Sequence, residues 1–171
     1  RADRPPARGR HTRLADSRGL SERTGAEVHL NPEQFRRTGA FKIGGALNRI
    51  KTLAEDEQTA GVVTASAGNH AQGVALAATR TGVDATIVMP EHAPISKVQA
   101  TEGYGGDVVL HGEDYDDAAD RAHQIEAEEV LTYVHAFDDE AVMAGQGTIG
   151  LEIIEDCPDV DTVVVPIGGG G

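Results

Sequence analysis

The chain is short of several things. It has one cysteine, Cys157, in 171 residues. It therefore makes no intrachain disulfide, and no CxxC or Cys/His cluster suggests structural zinc. There is no tryptophan, and only 4% of residues are aromatic. No apolar run approaches the ~18 residues of a membrane span. The N-terminal segment lacks the apolar stretch of a signal peptide. Lysine is scarce too: Lys42, Lys51 and Lys97 are the only three, and the other twelve of the 15 basic residues are arginine.

Acid is abundant. Asp and Glu number 28, and the formal net charge is −13. Nucleic-acid binding is thus excluded as a first reading. The imbalance is uneven, because six arginines and two aspartates give residues 1–20 a charge of +4 and leave −17 on the rest. An acidic, lysine-poor surface suits a salty solvent in which self-repulsion is screened. An ordinary acidic cytosolic protein is the alternative. The apolar content of 39% is enough for a packed core at this length.

Residues 1–20 read as a loosely ordered arm. Beyond them short β-rich runs alternate with helical periodicity. Strands are expected at 28–30, 61–64, 84–89, 107–110, 131–134 and 161–166. Helices are expected at 41–54, 69–81, 95–102, 114–129 and 139–154, the last interrupted near Gly145–Gly147. Alternation of this kind implies βαβ units, a parallel sheet and ligands beyond the carboxyl ends of its strands.

Three segments carry chemistry. Lys42 lies in Thr38-Gly-Ala-Phe-Lys-Ile43 at a helix start, where burial and the helix dipole lower an amine pKa and favour Schiff-base chemistry. A surface lysine whose stem covers apolar neighbours is the plainer alternative. Ser66, Ala67, Gly68, Asn69 and His70 form a strand-to-helix turn whose N–H groups could hold an anion. Ser66 or Asn69 merely capping the helix is the alternative. Gly168, Gly169, Gly170 and Gly171 follow a predicted strand as a phosphate cradle would, or form a flexible tail. The acidic run Glu113–Asp117 reads as a solvated helix start.

In this order, Leu20-Ser-Glu-Arg-Thr-Gly-Ala26, Thr38–Ile43, Ser66-Ala-Gly-Asn-His-Ala-Gln-Gly73, Val88-Met-Pro-Glu91, Gly145-Gln-Gly-Thr-Ile-Gly-Leu-Glu152 and the final glycines resemble the serine/threonine dehydratase (threonine ammonia-lyase) family of pyridoxal-phosphate enzymes of fold type II. The resemblance implies an α/β fold, a parallel twisted sheet with helices on both faces, like that of tryptophan synthase β. It implies pyridoxal 5'-phosphate as cofactor and dehydration and deamination of threonine or serine to a 2-oxo acid and ammonia. Lys42 would be the catalytic Schiff-base lysine, with Phe41 beside the cofactor ring. Asn69 would bond the cofactor's ring hydroxyl oxygen, Ser66–His70 the substrate carboxylate, and Gly168–Gly171 the cofactor phosphate. Residues 1–20 would be an arm, 21–50 the start of a larger lobe, 51–150 a smaller α/β lobe, and 151–171 the return to the larger one.

Two positions depart from the family's pattern. Asn31-Pro32-Glu33-Gln34 replaces a Lys-x-Glu-Asp type segment, and Gly44 stands where arginine is usual. Ala67 stands where serine racemases carry a second serine, which favours a dehydratase over a racemase; a serine racemase or another β-elimination or β-replacing enzyme is the alternative reading. The chain is about half as long as that family's catalytic domain. It is expected to be an incomplete one that by itself does not bind cofactor tightly, and a non-catalytic remnant is a further alternative. The resemblance also implies a homo-oligomer, and the residues read as those of a cytoplasmic protein with no metal and neither nucleic acid nor membrane as partner.

Overall fold

A computed structural model describes residues 11–170. A short strand, β1 (Ala15–Asp16), precedes helix α1 (Arg18–Thr24), and strand β2 (His29–Leu30) pairs antiparallel with β1. Residues 11–20 are thus partly regular rather than a loose arm; residues 1–10 lie outside the described residues. Helix α1 buries none of its side chains, so apolar spacing could not reveal it. Its stop is legible: Gly25 takes φ 74°, and its N–H bonds the Ser21 carbonyl.

A 3-10 turn (Glu33–Phe35) leads to α2 (Ile43–Thr52), and α3 (Glu55–Ala60) follows. The α3 start is held by Glu57, whose carboxylate accepts the Ala54 N–H at 2.7 Å. Apolar spacing does not reveal α3 either, because that helix buries nothing.

The βα alternation then runs as expected. It comprises β3 (Val62–Ala65), α4 (Asn69–Thr81), β4 (Ala85–Met89), α5 (Ile95–Gly103), β5 (Asp107–Leu110), α6 (Tyr115–Glu129), β6 (Thr132–Tyr133) and α7 (Glu140–Asp156). The four strands form a parallel sheet in the order β5-β4-β3-β6. Val62, Val63, Thr64 and Ala65 of β3 are all buried, as expected of an interior strand covered on both faces. On one face Val62, Ile87 and Met89 pack with Ala46, Ile50, Val74 and Val142 from the helices α2, α4 and α7. On the other, Val63, Ala65 and Val88 pack with Ala118, Ala122 and Ile125 of α6. Asp114 caps α6 by accepting the Asp116 and Asp117 N–H groups, so the acidic run starts a helix.

Two expectations are corrected. Helix α7 runs unbroken through Gly145–Gly147. Gly145 is there because α2 passes too close for a side chain. Residues 161–166 form no strand. Among the described residues no strand runs beside them to supply ladder bonds. Val164 is 90% exposed, and Val163, Val165 and Ile167 are exposed as well.

Candidate active site

Lys42 stands directly before α2, in the N-cap position. It is fixed there from behind by Gly73 of α4. A Cβ on Gly73 would lie 3.1 Å from the Lys42 carbonyl carbon and 3.2 Å from the Lys42 Cβ, so a side chain at 73 would press on the Lys42 backbone. The Lys42 Nζ donates to the Ala136 carbonyl at 2.7 Å and lies 5.4 Å from the centre of the Phe41 ring. Its amine is thus half-buried and specifically bonded, not a stem spread over apolar neighbours. Burial holds its pKa below the usual lysine range.

The turn from β3 to α4 stands beside it. The Ser66 N–H donates to Val88 O at 3.0 Å, which ties the turn to the end of β4. The Ser66 Oγ accepts the Gly68 N–H at 3.2 Å. Gly68 is the N-cap of α4, and no side chain caps that helix. Capping by Ser66 or Asn69 is therefore not what these residues do. The first N–H groups of α4 are left for another acceptor, with Asn69 exposed at the opening.

His70 is buried at the base of this turn, 3% exposed. Its Nε2 lies 3.0 Å from Val134 O. A carbonyl only accepts, so Nε2 carries the proton and Nδ1 has the lone pair. That Nδ1 is buried without a hydrogen-bond partner. Burial first, and then the charges of Lys42 and His135, push the His70 pKa down to about 4 against the pull of the Val134 bond, so the ring is neutral at pH 7.

The segment after β6 joins these parts. Val134 O receives His70, Ala136 O receives Lys42, and Phe137 meets the glycine loop, where a Cβ on Gly169 would run into its ring. Gly170 takes φ 86°, a conformation suited to glycine. Thus Lys42, Phe41, the Ser66–His70 turn and Gly169 share one neighbourhood through residues 134–137. Gly168 and Gly170 make no close contact of this kind, and Gly171 lies outside the described residues. Sequence reasoning missed Val134, Ala136 and Phe137. The first two act through backbone carbonyls, which leave no trace in residue type. Gly73 was legible only as part of the Ser66–Gly73 motif.

The departures are accommodated locally. A Cβ on Gly44 would lie 3.2 Å from the Gly145 carbonyl oxygen, so a larger residue there needs a small adjustment of α7. Glu33 pairs with Arg36, which also reaches Glu152 of α7 at 3.3 Å. A cavity of about 380 Å³ lined by His11, Arg13, Asp16, His29, Asp156 and Cys157 includes none of the residues around Lys42. Among the described residues no cluster has the makings of a metal site, and no helix is long and apolar enough to cross a membrane.

The profile of the family described as "Pyridoxal-phosphate dependent enzyme" matches residues 7–171. A protein named L-threonine ammonia-lyase from Thermotoga maritima is 56% identical over 160 residues, covering 94% of this chain and 40% of its own length. The processed form of threonine deaminase isoform 2 from Solanum lycopersicum superposes with a TM-score of 0.91 at 43% identity, over 94% of this chain and 44% of that one. Maize serine racemase gives 0.91 at 37% identity, over 94% of this chain and 49% of that one. The chain thus spans less than half the length of these proteins.

The residues present fit a pyridoxal-phosphate cofactor. An amine of lowered pKa with an aromatic ring beside it stands near an uncapped helix N-terminus, and Gly169 of the glycine loop meets Phe137, next to the Ala136 that holds the amine. The buried, unpartnered Nδ1 of His70 sits among them.

Proposed function

Because the chain belongs to the pyridoxal-phosphate dependent enzyme family, we propose that the whole protein deaminates L-threonine, or L-serine, to a 2-oxo acid and ammonia. One observation carries the reading: the Lys42 amine, lowered in pKa by burial, is held on the Ala136 carbonyl, two residues from the Val134 carbonyl that holds His70 of the uncapped turn. Bound pyridoxal phosphate supplies the electron sink that stabilises negative charge on the amino acid's α-carbon. Lys42 Nζ would hold the cofactor, and its free amine would accept the α-proton as general base. A lowered pKa raises the neutral, proton-accepting fraction of that amine. Phe41 would flank the cofactor ring and Asn69 would bond its ring hydroxyl oxygen. The N–H groups around Ser66, Ala67, Gly68, Asn69 and His70 hold the substrate carboxylate. Gly168–Gly171 hold the phosphate.

The named relatives support threonine as substrate. Ala67, in place of a second serine, supports a dehydratase over the racemase activity named for the maize protein. In this reading residues 51–150 form the smaller lobe, while 21–50 and 151–171 belong with the larger one. The protein works as a cytoplasmic homo-oligomer, and the charge of −13 supports a salty solvent.

The test uses the full-length protein loaded with pyridoxal phosphate. Borohydride reduction followed by peptide mapping is expected to place the cofactor on Lys42, and the protein is expected to release ammonia from L-threonine. Lys42→Ala is expected to abolish both. A cofactor adduct on another residue, or ammonia release that survives the Lys42→Ala change, overturns the reading.

A further inference from the structure

Two buried donors converge on one carbonyl oxygen. The Thr64 Oγ1, at the end of β3, donates to Val134 O at 2.8 Å, and the His70 Nε2, at the start of α4, donates to the same atom at 3.0 Å. Both side chains are buried, with Thr64 at 0% exposure. A carbonyl oxygen has two lone pairs, so Val134 O is saturated. The Val134 N–H donates to Val63 O at 2.9 Å, which holds that residue from its other side.

One residue further on, the His135 Nδ1 accepts the Phe137 N–H at 3.2 Å and the Asp138 N–H at 2.7 Å. These bonds close a turn around Ala136, whose carbonyl takes the Lys42 Nζ. A lysine side chain loses much rotamer freedom when it is held, so a single bond keeps it only if the acceptor is held still. Here the acceptor's segment is pinned on both sides, by Thr64 and His70 at Val134 and by His135 at Phe137 and Asp138.

The geometry points to a resting berth for the Lys42 amine. The Ala136 carbonyl receives Nζ whenever that nitrogen carries no carbonyl compound, and Thr64 and His70 are positioning residues that act on the lysine through residues 134–136. The inference deepens the reading of Lys42 as the cofactor-linking amine. Its test needs neither cofactor nor substrate, so it can fail while that reading stands, and the borohydride mapping can fail while the berth stands.

The experiment measures, on the full-length protein freed of cofactor, the rate at which each lysine is labelled by trinitrobenzenesulfonate, resolved by peptide mass spectrometry. Lys51 and Lys97, the other two lysines of this chain, serve as internal controls. Thr64→Val keeps the shape of the side chain and removes one donor. It is expected to raise the Lys42 rate roughly two- to tenfold, the effect of one hydrogen bond, with Lys51 and Lys97 unchanged. Thr64→Ser restores the hydroxyl and is expected to restore the native rate. His70→Gln, which keeps an N–H donor, is expected to raise the rate less than His70→Leu. The inference is overturned if Thr64→Val leaves the Lys42 rate unchanged or slower. It is equally overturned if all three lysines accelerate together, which would mark general loosening.

Discussion

Gly145 of α7 touches the backbone of Gly44 in α2: a Cβ at 145 would stand 2.5 Å from the Gly44 carbonyl oxygen and 2.6 Å from the Gly45 Cα. The two helices are also tied by Gln146, whose Oε1 accepts the Gly45 N–H at 3.0 Å, and by Asn48, whose Nδ2 donates to Ala141 O at 2.7 Å. Lys42 directly precedes α2, so this crossing helps set where the lysine stands. Gly145→Ala must push backbone from backbone, and a loss of about 1–3 kcal/mol is expected in denaturant unfolding. Gly147→Ala, two residues on, meets open space. It is expected to be neutral or to stabilise by up to ~1 kcal/mol, because alanine is the better helix former. Equal losses for the two variants would show that the close crossing is not what α7 requires.

Arg36 joins two carboxylates in a nearly closed setting. It bonds Glu33 on the 3-10 turn and Glu152 on α7, and all three side chains are largely buried. The Glu152 Oε2 also accepts the Thr12 N–H at 3.1 Å, which ties in the N-terminal segment. Removing the guanidinium strands both acids. Arg36→Ala is expected to cost about 3–5 kcal/mol in guanidinium chloride unfolding, well beyond a surface ion pair. A loss under ~1 kcal/mol would refute the buried-pair account.

His70 makes stability depend on pH. Its pKa is about 4 in the folded chain, lowered chiefly by burial, against the ordinary histidine value of 6.5 once the chain unfolds. Between those values the unfolded chain binds more protons than the folded one, so stability rises with pH there. The contribution is complete above pH 6.5 and is lost as pH falls toward 4, by about 3 kcal/mol at most. Urea unfolding at about pH 7 and about pH 5, on either side of the unfolded value, is expected to show a smaller difference for His70→Gln than for the native chain. An identical pH dependence in the two proteins would place the proton elsewhere.

Ser66 shapes the turn that starts α4 through its bond to the Gly68 N–H. In the full-length protein, Ser66→Ala is expected to raise KM for the amino acid roughly two- to tenfold, the effect of one hydrogen bond, with a smaller change in kcat. A fall in kcat at constant KM would assign Ser66 to the chemical step rather than to binding.

The elements with strong local signals were legible. Helix α4 begins at Asn69 and ends at Thr81 as expected, because Gly68 and Gly82 bound an alanine-rich run, whose residues His70 to Ala78 are all buried. Strand β5 occupies Asp107–Leu110, the range its β-rich composition predicts. Helices α1 and α3 were not legible, since neither buries a side chain and short helices without a buried face carry no periodic signal. The glycines of α7 read as a break for a related reason. Glycine marks both a flexible point and a close approach, and only the position of α2 tells them apart. Residues 161–166 have the composition of a strand, but a strand is made by its neighbours.

By itself the sequence determined the alternation of strands and helices and, through its motifs, the family. Both depend on side-chain type and local spacing, which a sequence states directly. The tertiary structure decided how the site residues meet. It placed the Ala136 carbonyl on the Lys42 amine and left α4 uncapped. It set two donors on the Val134 carbonyl and gave His70 the burial that keeps it neutral. Each of these involves a backbone carbonyl or a loss of solvent, and both are fixed by what the rest of the chain brings alongside rather than by the residue itself.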